Sequence, residues 1–221
     1  MIRTRFSSRA PAAALFALGL LCAAPHTAQA ADSYDAFVQA VAIDRSDQVR
    51  EMLARGMDPN TVDPNGDPVL LVAARAGWQT TLEALLAAGA KVDGPNSFGD
   101  RPITVAALGG HLAIVKTLYT HGAALDAPGW TPLTYAATTG QTEVARYLLD
   151  QGANVNALSP NGTTALMMAV RGGYDPTVEL LLARGADVNQ HNENGATALS
   201  WAVRGGYDAI ARALRAHGAS G

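Results

Sequence analysis

The sequence is poor in cysteine, in aromatic residues and in charge. It has a single cysteine, Cys22, and only 6% aromatic and 16% charged residues. Because Cys22 lies among the first thirty residues, the rest of the chain can form neither a disulfide nor a thiolate metal site. Leu21 stands just before Cys22, where a bacterial lipoprotein motif needs a small residue, so lipid attachment is disfavoured. Oxidising compartments permit disulfides without requiring them, so the shortage leaves the compartment open.

Acidic residues are missing from the first thirty positions, which instead hold three arginines, Arg3, Arg5 and Arg9. An apolar run over residues 12–24 follows, and Ala28-Gln29-Ala30 offers small residues at a cleavage site. This order of features predicts a secretory signal peptide over residues 1–30 that is cleaved after Ala30. The run has 13 residues, fewer than the roughly 20 of a membrane-spanning helix, which disfavours a retained anchor.

Neither a second long hydrophobic run nor an excess of basic charge follows the leader. Removal of residues 1–30 would leave 13 basic and 19 acidic residues, a net charge of −6. Nucleic-acid binding is disfavoured, because phosphates call for a basic face. We therefore expect a monomer in the periplasm or secreted from the cell, with no nucleic-acid partner and no membrane contact after cleavage.

Glycine, by contrast, is abundant and regularly spaced. The glycine of a recurrent Leu-Leu-x-x-Gly-Ala phrase stands at six positions that are 33, 33, 30, 33 and 33 residues apart: Gly56, Gly89, Gly122, Gly152, Gly185 and Gly218. A second glycine precedes each of the last five by 12 residues, at Gly77, Gly110, Gly140, Gly173 and Gly206. A fixed period of about 20 to 50 residues is typical of a solenoid.

Each repeat predicts two short helices and a projecting turn. In the unit at 128–157, the segment Thr131–Thr138 has Pro132 in its first turn, where a missing N–H costs nothing, and Gly140 beyond its end. A second helix over 142–151 carries one apolar stripe. Three of the turns contain Asn-Gly, which predicts tight two-residue hairpins: Asn65-Gly66, Asn161-Gly162 and Asn194-Gly195.

The segments TPLTYAATTG (131–140) and LLDQGANVNA (148–157) resemble the ankyrin repeat pattern T-P-L-H-x-A-A-x-x-G followed by L-L-x-x-G-A-x-x-N-A. The resemblance covers about 34–221 and implies an all-α solenoid of helix-turn-helix units with short β-hairpin-like fingers. The implied units are an N-terminal cap, four inner units and a C-terminal cap: 34–63, 64–96, 97–126, 127–159, 160–192 and 193–221. The motif histidine is absent, with Thr104 and Ser200 among its replacements, so we expect its loop-bracing hydrogen bonds to be missing.

Residue patterns for catalysis are also missing. The histidines after residue 30 have no partner three or four residues away that would complete a metal site: His111, His121, His191 and His217. Neither a G-x-S-x-G nucleophile turn nor a glycine spacing that cradles phosphate is present. We therefore expect no enzymatic activity, no cofactor and no metal. An enzyme with an unfamiliar site on the concave face is the alternative from another class.

The resemblance implies a module that binds a protein partner through its concave face and its finger tips. In this sequence those positions are Asp67, Phe98, Asp100 and Trp130 on the fingers, with Arg75, Leu108, Thr138, Arg171 and Arg204 on the inner helices. The identity of the partner is open. Two narrower alternatives are a dedicated stabiliser or inhibitor of a periplasmic enzyme, and a secreted effector.

Several large side chains fall at positions that pack between helices. Helical spacing predicts that Met167, Met168 and Trp201 fill the core. Tyr174 and Tyr207 share the place of His111 in the repeat, and we expect them to brace the turn between the two helices.

One finger is short. From Gly122 to Thr131 there are nine residues, where the other units have 12 over the same interval. The flanking helical patterns keep their length, so the missing residues are predicted to belong to the finger. Trp130 would then stand at the base of a notch, either as an anchor for a partner or as a plug over exposed apolar surface.

Overall fold

The protein folds as a stack of helix pairs. The structure is a computed structural model that describes residues 26–220, so the predicted leader up to residue 25 lies outside it. The described chain has six consecutive pairs: α1 (His26–Ala42) with α2 (Ser46–Ala54), α3 (Val69–Ala76) with α4 (Gln79–Ala87), α5 (Pro102–Leu108) with α6 (Leu112–Thr120), α7 (Pro132–Thr138) with α8 (Thr142–Asp150), α9 (Ala165–Gly172) with α10 (Asp175–Ala183), and α11 (Ala198–Gly205) with α12 (Asp208–Ala216).

The pairs stack into two layers. The first helix of each pair packs against the first helices of its neighbours and forms an inner layer, while the second helices form an outer layer. One continuous hydrophobic core lies between them and runs from Phe37 to Leu214. This arrangement confirms the predicted all-α repeat solenoid. No helix among the described residues is both long and apolar enough to cross a membrane.

Hydroxyl groups fix the starts of the inner helices α5, α7, α9 and α11. Thr197 caps α11 by accepting the N–H of Ser200 at 3.1 Å, as a threonine cap commonly does. The expectation that bracing bonds are missing is wrong at two positions. Ser200 Oγ accepts the N–H of Thr197 at 3.0 Å, and Thr104 Oγ1 accepts the N–H of Arg101 at 2.9 Å. A short hydroxyl side chain thus makes the return bond of a capping box.

A glycine after an inner helix can serve the next unit as well as its own. Gly140 has a φ of +69°, and a Cβ placed on it would lie 2.5 Å from the ring of Tyr174. Gly173 has a φ of +68°, and its Cβ would lie 2.8 Å from the ring of Tyr207. These contacts confirm that Tyr174 and Tyr207 brace the helix-helix turns. At these two positions glycine is needed both for the backbone conformation and for the close approach of the next repeat.

The fingers are three-residue loops, and the prediction of two-residue hairpins is wrong. In the first finger Asp63 N–H donates to Asp67 O at 2.8 Å, and Gly66 N–H donates to Asp63 O at 2.9 Å. Gly66 has a positive φ and Asn65 does not, which is the pattern of a type I turn followed by a left-handed glycine. The same pair of bonds closes three more fingers, at residues 96–100, 159–163 and 192–196.

The finger between the third and fourth pairs is short, as predicted. Eleven residues separate the end of α6 at Thr120 from the start of α7 at Pro132, whereas 14 separate the helices at each of the other four fingers. Since α6 has nine residues like every outer helix from α2 onwards, the deletion falls entirely on the finger.

The end units are only partly polar. Glu51 and Arg215 are exposed at positions that hold Leu180 and Leu182 in the fifth unit, as expected for caps. Val203 departs from this pattern. It is 59% exposed, whereas Val170 at the same position of the previous unit is fully covered by the next repeat.

Candidate interaction surface

The inner layer presents two columns of side chains, which we call the inner-helix face. The first column is Val72, Val105, Tyr135, Met168 and Trp201, and the second is Arg75, Leu108, Thr138, Arg171 and Arg204. Because the two members from each helix are three residues apart, they lie on the same side of that helix. The first column is buried or half-buried, while the second is half-buried at Leu108 and Thr138 and exposed at its arginines.

At the N-terminal half of this face, the charge of Arg75 is already matched. Its guanidinium donates to Asp67 at 2.7 Å, and the Asn96 amide donates to the other carboxylate oxygen at 2.9 Å. Asp67 is only 7% exposed, so it lies at the base of its finger and not at the tip. Burial by itself would raise the pKa of Asp67, but the hydrogen bonds from Arg75 and Asn96 and the charge of Arg75 hold it below the ordinary value.

Asp100 is held in a similar way by the following unit. The hydroxyl of Tyr135 donates to its carboxylate. The pKa of Tyr135 is raised well above its ordinary value, first by burial and then by the bond to the Asp100 carboxylate and its charge. Tyr135 therefore stays protonated and locks the second finger onto α7. Asp100 has less freedom to meet a partner than its place in a finger suggests.

The aromatic residues near the short finger differ sharply in exposure. Phe98 is 86% exposed at the tip of the second finger. Trp130 is half-buried, packs against the core and lies 6.1 Å from the ring of Tyr135 at an angle of 58°. Trp130 is therefore anchored by its packing, whereas Phe98 is free at its finger tip. Both roles predicted for Trp130 are compatible with this geometry.

Leu108 and Thr138 form a neutral middle section. Both are half-buried, and the hydroxyl of Thr138 donates to the carbonyl of Thr134 one turn earlier at 2.8 Å. Since that bond occupies the hydroxyl hydrogen, Thr138 offers a partner only an acceptor oxygen and a methyl group.

At the C-terminal half, two arginines have no partner. Arg171 and Arg204 are exposed, and within the described chain neither makes an ion pair or a hydrogen bond. The cause is local. Arg75 finds Asp67 eight residues earlier in the finger, but the position eight residues before Arg171 is Thr163 and that before Arg204 is Ala196.

These two arginines border adjoining hollows. One, of about 340 Å³, is lined by Arg171, Trp201, Arg204, Gly205 and Tyr207. The other, of about 300 Å³, is lined by Thr138, Met168, Arg171 and Gly172. Arg171 belongs to both, so the hollows form one path over α7, α9 and α11.

Trp201 and Tyr207 line the surface, although their positions in the repeat predict packing alone. Trp201 is only half-buried, and Tyr207 adds its ring to the same hollow. A signal was present in the sequence, because Trp201 comes three residues before Arg204 and so shares its side of the helix. The sequence does not show how deeply a tryptophan at that position sinks between neighbouring units.

The histidines bond mainly to backbone. His111 Nε2 lies 3.1 Å from the carbonyl oxygen of Arg75, and His121 and His217 each bond to a carbonyl in their own helix. Among the residues that the structure describes, no group of three His, Cys, Asp or Glu side chains could hold a metal ion.

A comparison with family models supports the repeat assignment. A model described as "Ankyrin repeats (3 copies)" matches residues 37–128, 80–159, 122–192 and 157–221, which together cover residues 37 to 221. A search of curated proteins found no match.

Proposed function

This chain belongs to the ankyrin repeat family, and from that premise we propose that it is an exported, non-catalytic module that binds one protein partner through its inner-helix face and fingers. Ankyrin repeats generally mediate protein–protein interaction. A fold does not fix a function, so the proposal depends on the surface itself. The observation that carries it is the pair of unpaired arginines, Arg171 and Arg204, beside the aromatic ring of Trp201.

The surface has the composition of a binding site. Arginine and aromatic residues are enriched at protein interfaces, and an exposed phenylalanine such as Phe98 has no packing role that would explain it. The residues proposed to meet the partner directly are Phe98, Leu108, Trp130, Thr138, Arg171 and Arg204. Arg75, Asp67 and Asp100 are proposed to act at the same surface mainly by holding the fingers in place.

Export is the second part of the proposal. The arginines, apolar run and Ala-x-Ala site of residues 1–30 support a signal peptide cleaved after Ala30 and a location in the periplasm or outside the cell. Ala31 would then open the mature chain within α1, and the repeats would follow directly.

Site-specific photocrosslinking in living cells tests the binding face. A photoreactive residue would replace Phe98 at a finger tip, or Ala113, which is exposed on the outer helix α6 and serves as the matched control. We expect a discrete adduct from position 98 and none from position 113. The partner identified in that adduct would then be titrated against the wild type and Phe98→Ala. Equal adducts from both positions, or unchanged affinity for the variant, contradict the proposal.

The same partner decides between the narrower roles. If it is an enzyme, its activity and thermal stability would be measured with and without this protein. A change in either identifies a stabiliser or inhibitor, and no change leaves a general adaptor.

A further inference from the structure

The unpaired arginines point to the chemistry of the partner. We propose that the C-terminal trough, defined by Met168, Arg171, Trp201, Arg204 and Tyr207, binds an extended acidic segment of the partner protein. The segment carries two carboxylates three residues apart and adopts a polyproline II conformation. The inference rests on the proposed protein-binding role of the inner-helix face and names the kind of partner that fits this part of it.

The charge of the two arginines favours an acidic partner. Arginine presents a planar fork of N–H donors that matches a carboxylate in two parallel hydrogen bonds. Arg75 shows that an arginine at this position of the repeat pairs with a carboxylate, since it donates one hydrogen bond to Asp67. The finger positions that would supply the same carboxylate to Arg171 and Arg204 hold Thr163 and Ala196 instead. The two guanidinium groups are therefore available to carboxylates from outside.

The spacing of the two arginines favours a polyproline II segment. Arg171 and Arg204 occupy the same position on the packed helices α9 and α11, and packed helices lie about 8–10 Å apart. A polyproline II segment rises about 3.1 Å per residue with three residues per turn, so its residues i and i+3 project from the same side about 9 Å apart. In a β-strand, residues i and i+2 share a side at roughly 7 Å, and residue i+3 points away. The polyproline II geometry matches the repeat.

The aromatic lining of the trough also favours a polyproline II segment. Trp201 and Tyr207 form part of the hollow between the two arginines, and aromatic grooves are the usual docking sites for polyproline II segments. Tyr207 is also fixed in place, because its ring lies against Gly173 and Gly205, where a Cβ would come within 2.8 and 2.5 Å of it. The two residues between the carboxylates would pack on these rings.

The openness of the site favours a peptide over a small anion. A specific anion pocket needs several buried donors, whereas Arg171 and Arg204 are both exposed. Because Arg171 also borders the second hollow beside Thr138 and Met168, the trough continues across a third inner helix. A peptide segment several residues long can contact the trough along its whole length, whereas a small anion cannot.

Two peptides of identical composition test the spacing. One contains Glu-Pro-Pro-Glu and the other Glu-Glu-Pro-Pro, each with the same proline-rich flanks. Binding to the purified protein is followed through the indole N–H signal of Trp201 in NMR spectra, assigned with Trp201→Phe. We expect the first peptide to bind about tenfold more tightly, since one charge-assisted contact is lost in the second. Equal affinities, or no binding of either peptide at about 1 mM, overturn the proposal.

Three arginine variants test the site. Arg171→Ala and Arg204→Ala should each lower the affinity for the Glu-Pro-Pro-Glu peptide by about tenfold. Arg212→Ala makes the same charge change at an exposed position of the outer helix α12 and should lower it by less than about twofold, through long-range charge alone. An equal loss of peptide affinity in all three variants would mean that only the net charge matters, and it would reject the C-terminal trough as the binding site. Tighter binding of a single-stranded oligonucleotide would also reject it.

Failure of this inference can be told apart from failure of the proposed function. If position 98 still crosslinks to a partner while neither peptide binds, only the acidic segment is rejected. If the peptide binds the trough while position 98 yields no adduct, the proposed use of the fingers is rejected. Binding of an acidic segment in the C-terminal trough is then still supported.

Discussion

At the scale of single residues, the charge of the inner-helix face depends on what stands eight residues before each arginine. Asp67 neutralises Arg75, whereas Thr163 and Ala196 leave Arg171 and Arg204 unmatched. The three arginines occupy equivalent positions in their units, yet the first belongs to the framework and the other two to the surface. Substitutions of these residues should therefore separate stability from binding.

Asp67 should make stability depend on pH in the acid range. Its pKa is lower than the ordinary value of 3.8 in the folded state. Such a carboxyl adds stability that is fully present above the unfolded pKa and is lost as pH falls through the folded pKa. Asp67→Asn should lower the free energy of unfolding by about 1 kcal/mol at pH 7, a value reduced by the exposure of Arg75. The decline below about pH 4 should also flatten, as urea titrations between pH 2 and 7 would show.

Arg171 is the matched control for Arg75, because both lie in the second column of the inner-helix face. Arg75→Ala should destabilise the protein by a similar amount, because it leaves the buried Asp67 carboxylate without its charged partner. Arg171→Ala should leave the unfolding free energy within about 0.5 kcal/mol of the wild type. Identical acid titrations for the wild type and Asp67→Asn would show that the ion pair adds nothing to stability.

Trp130 should act mainly in partner binding. Trp130→Ala is expected to weaken binding by roughly 2 kcal/mol or more, since aromatic anchors dominate many interfaces, while the melting temperature changes little. Calorimetric titration of the partner and thermal denaturation of the free protein give the two numbers. A large loss of stability with binding intact would identify Trp130 as a plug that packs on Tyr135 and the core.

At the scale of elements, one contact between successive units is made where an aromatic ring lies against the glycine that follows an inner helix. Tyr174 lies against Gly140, and Tyr207 lies against Gly173. The stacking of units is therefore encoded twice, by the apolar core and by these glycine-ring contacts. Repeat proteins derive their stability from such nearest-neighbour terms.

Gly140→Ala should destabilise the stack more than a comparable change elsewhere. A positive φ costs an alanine about 1–2 kcal/mol, and here the new Cβ would also lie 2.5 Å from the Tyr174 ring. We expect a total loss of about 3 kcal/mol or more. Gly152→Ala is the control, since Gly152 has a φ of +90° and nothing within 4 Å of a new Cβ. It should lose only the backbone contribution.

The comparison is made by urea denaturation of both variants, with Tyr174→Ala added to each. Relative to Tyr174→Ala alone, Gly140→Ala should then cost less unfolding free energy than it costs in the wild type. The cost of Gly152→Ala should be the same with and without the Tyr174 ring. Equal losses for the two glycine variants would mean that the ring moves aside at no cost.

At the scale of the whole molecule, the fold is a row of similar units with different surfaces. The N-terminal half of the inner-helix face is held by a network of Arg75, Asp67, Asn96, Asp100 and Tyr135. The C-terminal half offers open charge and aromatic rings. A partner that spans both halves would meet this fixed network at one end and a basic trough at the other.

The proposed export concerns the whole chain, and it predicts a mature N-terminus at Ala31. N-terminal sequencing of the native protein after cell fractionation checks this directly. Ala30→Arg should block cleavage and leave a longer product, because the peptidase needs a small residue at that position. An intact Met1 on a cytosolic protein would disprove the leader.

The finger geometry shows where prediction from sequence loses accuracy. Asn-Gly by itself predicts a two-residue turn, but the observed loop has three residues and is closed by the side chain at its start. Asn192 Oδ1 accepts the backbone N–H groups of Asn194 and Ala196 at 3.0 and 2.9 Å. An Asx side chain that bonds its own loop changes the preferred turn. This bond depends on residues before the dipeptide, which the dipeptide alone does not reveal.

The period, the helix pairs and the location of the short finger can all be predicted from the sequence, because each depends on local residues and on neighbours one repeat away. The sequence also contains the reason that Arg171 and Arg204 are unpaired, namely Thr163 and Ala196 in place of a carboxylate. Tertiary structure alone decided that Asp67 is buried and that Trp201 and Tyr207 border an open hollow. Those outcomes depend on how far side chains from adjacent units cover one another, which spacing along a chain does not specify.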